Sequence, residues 1–295
     1  MNYSFKKSPE EIAAAKRIPI EGTKFFRQEK IQAYWTVEEE TARRILPPHI
    51  EPLMPLGKPM VVAYIAYFGR PEFLYPYSEA ALFMLAKCGD VAGVYNFAMP
   101  VDGNDQAMDA GREYFGYPKK QAIVKLERRG EKMHGYIERN DVRYFDLDVT
   151  LGAEPNNGVI GPRVLGPEGP QKEESQVLLL KYAMDSEIDP SRSLFFRDFR
   201  VQAQANYTAV TEKINGRVDS MIFQPSEDDP WIELAPPTPE DILGCAYSKY
   251  DTIMKDSKTV YRYTDEEYED VLPYAFAAWD TVLLGKEHTS IRTFK

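Results

Sequence analysis

Histidine and cysteine, the side chains that most often ligate metals, are nearly absent from these 295 residues, with three His and two Cys. Cys88 and Cys245 stand far apart without metal-ligand spacing and read as small buried hydrophobes. His49, His134 and His288 do not cluster, and no metal site is expected. Missing too are GxGxxG, the Walker lysine motif, HExxH, GxSxG and CxxC. Their absence removes the sequence case for a classical dinucleotide fold, a P-loop enzyme, a zincin or an α/β-hydrolase, and no cofactor is expected. Basic charge is in deficit: a net charge of −10 and a pI near 5.0 argue against nucleic acid as a partner. No apolar run approaches the roughly 18 residues of a membrane-crossing helix. MNYSFKKSPEEIAAAKR lacks the apolar centre of a secretory signal. No membrane partner and a cytoplasmic location are the expectations.

What remains to do chemistry is a supply of carboxylates, tyrosines, arginines and lysines. SPEEIAAAKR (8–17) predicts a short helix capped by Ser8, and TVEEETARRIL (36–46) another, with Thr36 and Glu39 as a capping box. From about residue 58 strand texture takes over, in MVVAYIAYF (60–68), GVYNFAMPV (93–101), QAIVKLERR (121–129), MHGYIER (133–139), VRYFDLDVTL (142–151) and FRVQAQANYTAV (199–210). Arg129-Gly130-Glu131 predicts a hairpin turn, and the Gly- and Pro-rich 154–171 a long irregular connection. Helices are predicted again in PPTPEDIL (236–243) and, capped by Thr264 and kinked or broken at Pro273, across 264–284. The fold class is α+β and mostly β. A large antiparallel sheet, open or closed into a barrel, carries peripheral helices in one domain spanning 1–295.

GREYFGYPKK (111–120) presses two lysines together behind a proline. Either both are solvated in a turn, or one is meant to lose its proton. An unperturbed lysine is neutral in only roughly one molecule in 2,500 at pH 7, and burial and a neighbouring cation both lower its pKa. Tyr114, Phe115 and Tyr117 offer an apolar wall, the second lysine offers the cation, and Arg112 with Glu113 reads as a buried or half-buried structural pair. Residue chemistry alone leaves both readings open.

The same ten residues resemble the Schiff-base segment of the acetoacetate decarboxylase family, whose hallmark is GRE-x-x-G-[FY]-P-K-K. The family is itself the standard illustration of a lysine activated by burial and a cationic neighbour. NDQAMDAGRE (104–113) matches its lead-in, while RRILPPHIEPL (43–53), YSEAALF (77–83) and PPTPEDILGCAYSKYD (236–251) resemble further segments. The likeness spans roughly residues 20–260, with the ends as helical extensions. It implies an acetoacetate-decarboxylase-like barrel, a small oxo-acid substrate and a homo-oligomer. By position it implies Lys119 as the nucleophile, Lys120 as the pKa-lowering neighbour, Glu79 as a proton shuttle and Arg27 as the clamp on the substrate carboxylate. Tyr64 stands where the decarboxylases carry a second glutamate and becomes a phenolic proton donor; Tyr247 is a weaker candidate of that type, placed with substrate binding. Phe115 also belongs to the substrate wall, at a position where pyruvate-condensing relatives often have glutamine. The implied reaction is decarboxylation of a 3-oxo acid through a lysine iminium. The alternatives are a pyruvate-type aldolase-dehydratase on the same lysine and a non-catalytic barrel that binds a small carbonyl ligand.

Overall fold

The fold is given by a computed structural model that describes residues 6–16, 21–184, 196–224, 226, 229 and 237–278. Its centre is a 12-stranded sheet. The strands are β1 (Thr23–Thr36), β2 (Glu51–Pro52), β3 (Met60–Pro71), β4 (Tyr77–Cys88), β5 (Val91–Asp102), β6 (Lys119–Gln121), β7 (Ile123–Arg129), β8 (Lys132–Arg139), β9 (Val142–Leu151), β10 (Gln171–Met184), β11 (Phe196–Phe223) and β12 (Ile242–Arg262). Pairing runs β10-β5-β4-β3-β1-β12-β11, and β10 also pairs with β11, so the path returns on itself. This ring is the arrangement that the family resemblance implies, where the residues alone left an open sheet or a closed barrel. It is mixed rather than wholly antiparallel, because β10 meets β5, and β5 meets β6, in parallel.

Successive side chains of a strand point to opposite faces, and here the two faces have different fates. Ile31, Ala33 and Trp35 of β1 join Val61, Ala63 and Ile65 of β3 in the main core. Over this outer face fold β7, β8 and β9, which continue from β11 and contribute Ile137, Phe145 and Leu147. Each such side chain is worth about 1.5–3 kcal/mol when fully buried. The alternate residues, Val62, Phe68 and Phe83 among them, turn inward around a cavity of about 1180 Å³. One sheet thus serves a core on one side and a chamber on the other.

The helices are short. In α1 (Pro9–Ala15) the Glu11 N–H donates to Ser8 Oγ at 3.2 Å and the Ser8 N–H to Glu11 Oε2 at 2.8 Å, the predicted cap made reciprocal. Thr36 caps nothing: it ends β1 and donates to Asp241 Oδ1 at 3.1 Å, while α2 (Glu39–Ile45) begins after Glu38. The helix α3 (Asp105–Asp109) runs directly into a π-helical turn, Ala110–Phe115. One short helix, α4 (Gly161–Leu165), interrupts the irregular 154–171 connection. No helix forms across 237–243; Thr238 Oγ1 donates to Asp241 Oδ2 at 2.7 Å, closing a turn from which β12 starts. The last helix, α5 (Tyr268–Ala278), starts after a turn over 264–267 and continues unbroken through Pro273, and residues 279–284 of the predicted helix lie outside the described residues. The predicted hairpin is present, with Arg129 opposite Lys132 and Gly130 at φ 65°. Among the described residues no helix is long and apolar enough to cross a membrane.

Candidate active site

Lys119 opens β6, and GREYFGYPKK is built around its side chain. Asn104 caps α3 by accepting the Ala107 N–H at 3.1 Å. The π turn ends at Gly116, whose φ of 93° suits glycine. The N–H groups of Gly116 and Tyr117 both donate to the Gly111 carbonyl, at 2.9 and 3.0 Å. Gly111 is required for a second reason. A Cβ there would lie 2.4 Å from Lys119 Cε and 2.5 Å from Cδ, so the lysine stem rests against bare backbone. Lys181 Nζ, arriving from β10, donates to the Glu113 carbonyl at 2.6 Å and to that of Tyr114. Arg112 and Glu113 are exposed, so they are not the buried pair expected; the turn is held by its glycines and Lys181.

Deep in the cavity, Lys119 Nζ lies 3.0 Å from Glu79 Oε2, and each side chain is only 6% exposed. Tyr64 donates its O–H to the other carboxylate oxygen, Oε1. The two are diagonal neighbours: Glu79 of β4 faces Ala66 of β3, two residues from Tyr64. The ammonium also stands 5.2 Å from the centre of the Tyr77 ring, and Tyr117 donates to Gln204 Oε1 at 2.8 Å. Buried Phe115 and Met99 complete the wall.

Burial, and after it the negative charge of Glu79, pushes the phenols of Tyr64, Tyr77, Tyr117 and Tyr250 up. All four therefore remain O–H groups around one carboxylate. Moving a proton from Nζ to Oε2 converts the ion pair into a free amine and a carboxylic acid without changing the net charge of the pair. A buried ion pair contributes little net stability against its desolvation cost. Its placement in a chamber wall is what a nucleophile with an adjacent acid requires.

The structure brings Lys119, Glu79, Tyr64 and Phe115 together; Arg27, Lys120 and Tyr247 do not join them. Between Phe25 and Gln28 the β1–β12 pairing carries a bulge, and Arg27 sits in it at φ 54°. The extra residue shifts the alternation, so Phe25 and Gln28 both line the cavity while Arg27 is exposed, its N–H donating to Asp251 Oδ1 at 2.8 Å. Lys120 points off the chamber to Asp229, 3.9 Å away, which also receives Arg139 at 3.3 Å. Tyr247 belongs to the outer face and donates to Glu29 Oε2 at 2.8 Å, whereas Ser248 and Tyr250 line the cavity. The expected wall of Tyr114, Phe115 and Tyr117 lines the cavity, whereas sequence reasoning missed Gln28, Lys30, Tyr77 and Tyr250. Tyr77 stands two residues before Glu79 and shares its face, which was a usable signal. Gln28 is 3% exposed, and its side-chain oxygen has no partner among the described residues. Among those residues no cluster of three His, Cys, Asp or Glu side chains is arranged to hold a metal.

The fold is shared with solved enzymes. An acetoacetate decarboxylase from Legionella pneumophila subsp. pneumophila str. Philadelphia 1 superposes with a TM-score of 0.68 at 16% identity, covering 89% of this chain and 99% of that one. The enduracididine biosynthesis enzyme MppR, solved with pyruvate, gives 0.61 at 15%, covering 90% and 99%. MppR has also been solved with the condensation product of pyruvate and imidazole 4-carboxaldehyde. An acetoacetate decarboxylase-like enzyme from Sphingomonas wittichii RW1 gives 0.60 at 15%, covering 82% and 94%. No significant match to curated proteins is found. Identities this low carry the fold alone, but the sequence model of the family described as acetoacetate decarboxylase (ADC) matches residues 8–264. With that match over most of its length, the chain belongs to the acetoacetate decarboxylase family.

Proposed function

We propose that this protein is a lyase acting on oxo acids through a Schiff base at Lys119, and that its first reaction is decarboxylation of a 3-oxo acid. The observation that carries this is the buried 3.0 Å contact between Lys119 Nζ and Glu79 Oε2 inside a chamber large enough for substrate. Glu79 takes the ammonium proton, and the free amine adds to the ketone carbon. The resulting hydroxyl leaves as water on receiving the proton back, giving an iminium. The electron pair of the C–CO₂⁻ bond then moves toward the iminium nitrogen, carbon dioxide departs, and Glu79, hydrogen-bonded by Tyr64, takes up a proton from solvent and passes it to the enamine carbon. Hydrolysis restores Lys119.

Desolvation favours this course. No arginine lines the cavity among the described residues, and the wall near Lys119 is largely aromatic. A carboxylate held there without a guanidinium is poorly stabilised relative to neutral carbon dioxide.

One observation favours a second reading, aldol condensation of pyruvate followed by dehydration. The Tyr64 phenol, kept protonated, stands at Glu79 where a second carboxylate would otherwise repel substrate, and it supplies a neutral donor for a departing hydroxyl. Carbon dioxide release separates the two. Incubation with acetoacetate and longer 3-oxo acids should evolve carbon dioxide at a rate abolished by Lys119→Arg. No release from any 3-oxo acid, with aldehyde-dependent consumption of pyruvate instead, would replace the first reading by the second.

A further inference from the structure

A row of cavity-facing residues crosses five strands. Lys213 of β11 is opposite Ser248 of β12, Ser248 opposite Lys30 of β1, Lys30 opposite Ala66 of β3, and Ala66 opposite Glu79. Neighbouring strands lie about 4.8 Å apart, so Lys30 stands roughly 10 Å along the wall from Glu79, with Lys213 as far again. The residues between them, Ser248 and Ala66, are too small to cover an ammonium group. We propose that Lys30 and Lys213 form a second subsite in this chamber, which binds a carboxylate at the far end of the substrate, so that the substrate is an oxo diacid rather than a short monoacid.

Lys30 has no salt bridge among the described residues; its contact is the Tyr250 ring, whose centre is 4.7 Å from Nζ. The nearby carboxylate is already engaged: Glu173 receives Gln171 Nε2 at 2.7 Å and faces Lys213 Nζ at 3.7 Å. Burial lowers the Lys30 pKa to about 8, against the pull of Glu173 and aided by Lys213. Lys30 is thus mostly protonated at neutral pH without a salt bridge of its own among the described residues, which a structural cation in a protein interior would have. Tyr250 lines the cavity beside Lys30, and its phenol is pushed up by burial first and then by the charges of Glu79 and Glu173. The volume agrees. About 1180 Å³ exceeds what a three- or four-carbon oxo acid can fill and reaches the top of the roughly 300–1,000 Å³ range of sites for drug-sized ligands.

The proposal rests on Schiff-base formation at Lys119 for the oxo head, and its test separates the two. Reductive trapping at Lys119 is measured against concentration for acetoacetate, for oxo diacids of increasing chain length, and for the same diacids with the remote carboxyl esterified. The account expects one diacid length to half-saturate at roughly tenfold lower concentration than its ester, and this ratio to fall to about one in Lys30→Met and Lys213→Met. Diacids and esters that trap equally well at every length overturn the second subsite and leave the Schiff base standing. Isothermal titration with saturated dicarboxylates and with monocarboxylates of matched length needs no carbonyl. Tighter binding of a dicarboxylate, lost on Lys30→Met, upholds the subsite even where no adduct forms. Equal binding, with no diacid preference in trapping, overturns it.

Discussion

Gly111 and Tyr64 decide more of the chemistry at the residue scale than their ordinary side chains suggest. Gly111→Ala would place a methyl 2.4 Å from Lys119 Cε. Overpacking of this kind costs about 1–3 kcal/mol, and the flexible lysine gives way before the backbone does. The expected outcome is a protein with unchanged circular dichroism whose trapping at Lys119 is slowed at least tenfold; unchanged trapping would mean that the aim of Lys119 does not depend on Gly111. Tyr64→Phe removes the donor on Glu79 Oε1 and keeps the ring that stacks on Phe83 at 5.4 Å. Turnover should fall by roughly 10², the scale of a positioned acid or base, with iminium trapping still detectable. The hallmark motif made Lys119 legible from sequence, and the reason for its first glycine was not, because a glycine's requirement lies in the atoms that approach it from elsewhere in the chain.

A single bulge in β1 has consequences at the scale of the element. It turns Arg27 outward and Gln28 inward, so counting along the sequence lands on the wrong face. Arg27 holds a left-handed backbone that glycine adopts without strain. Arg27→Gly should leave stability equal or raised by up to about 1 kcal/mol, and substrate affinity unaltered. A loss of affinity confined to carboxylate-bearing ligands would restore Arg27 as a clamp. β4 was hidden for a related reason. Nearly all of YSEAALFMLAKC is buried, on both faces, so no alternation marks it as a strand. Parity likewise separates Tyr247 from Tyr250 on β12: the first faces the main core, the second the chamber. Strand texture was readable where one face meets water, and unreadable where a bulge or double burial removed the period.

At the scale of the whole molecule the interior is rich in phenols. Burial pushes up Tyr34, Tyr64, Tyr77, Tyr117, Tyr144 and Tyr250, among others. Above pH 10 the unfolded chain releases these protons and the folded one keeps them, so the native state binds more protons and stability falls as pH rises. Lys30 acts oppositely in a lower window. Its depressed pKa means the unfolded chain binds the extra proton between about 8 and 10.5, so its contribution to stability rises with pH there. Denaturant unfolding across this range should show Lys30→Met gaining on the unaltered protein toward pH 8 and converging with it toward pH 10. Tyrosinate absorbance should appear in two stages, the exposed tyrosines near their ordinary pKa of about 10 and the buried ones only as the fold is lost. A single early stage would contradict the closed interior. The ring of strands around a chamber was expected from family resemblance, and composition alone supported no more than a large sheet with helices at its ends.

Peptide mapping after borohydride reduction in the presence of acetoacetate, pyruvate and longer oxo acids tests the central claim most directly. The account predicts one stable adduct per chain, on the peptide that contains Lys119, absent in Lys119→Arg. The outcome that would contradict it is an adduct on Lys30, a second lysine of the chamber wall, or a scatter of adducts over surface lysines with Lys119 unmodified.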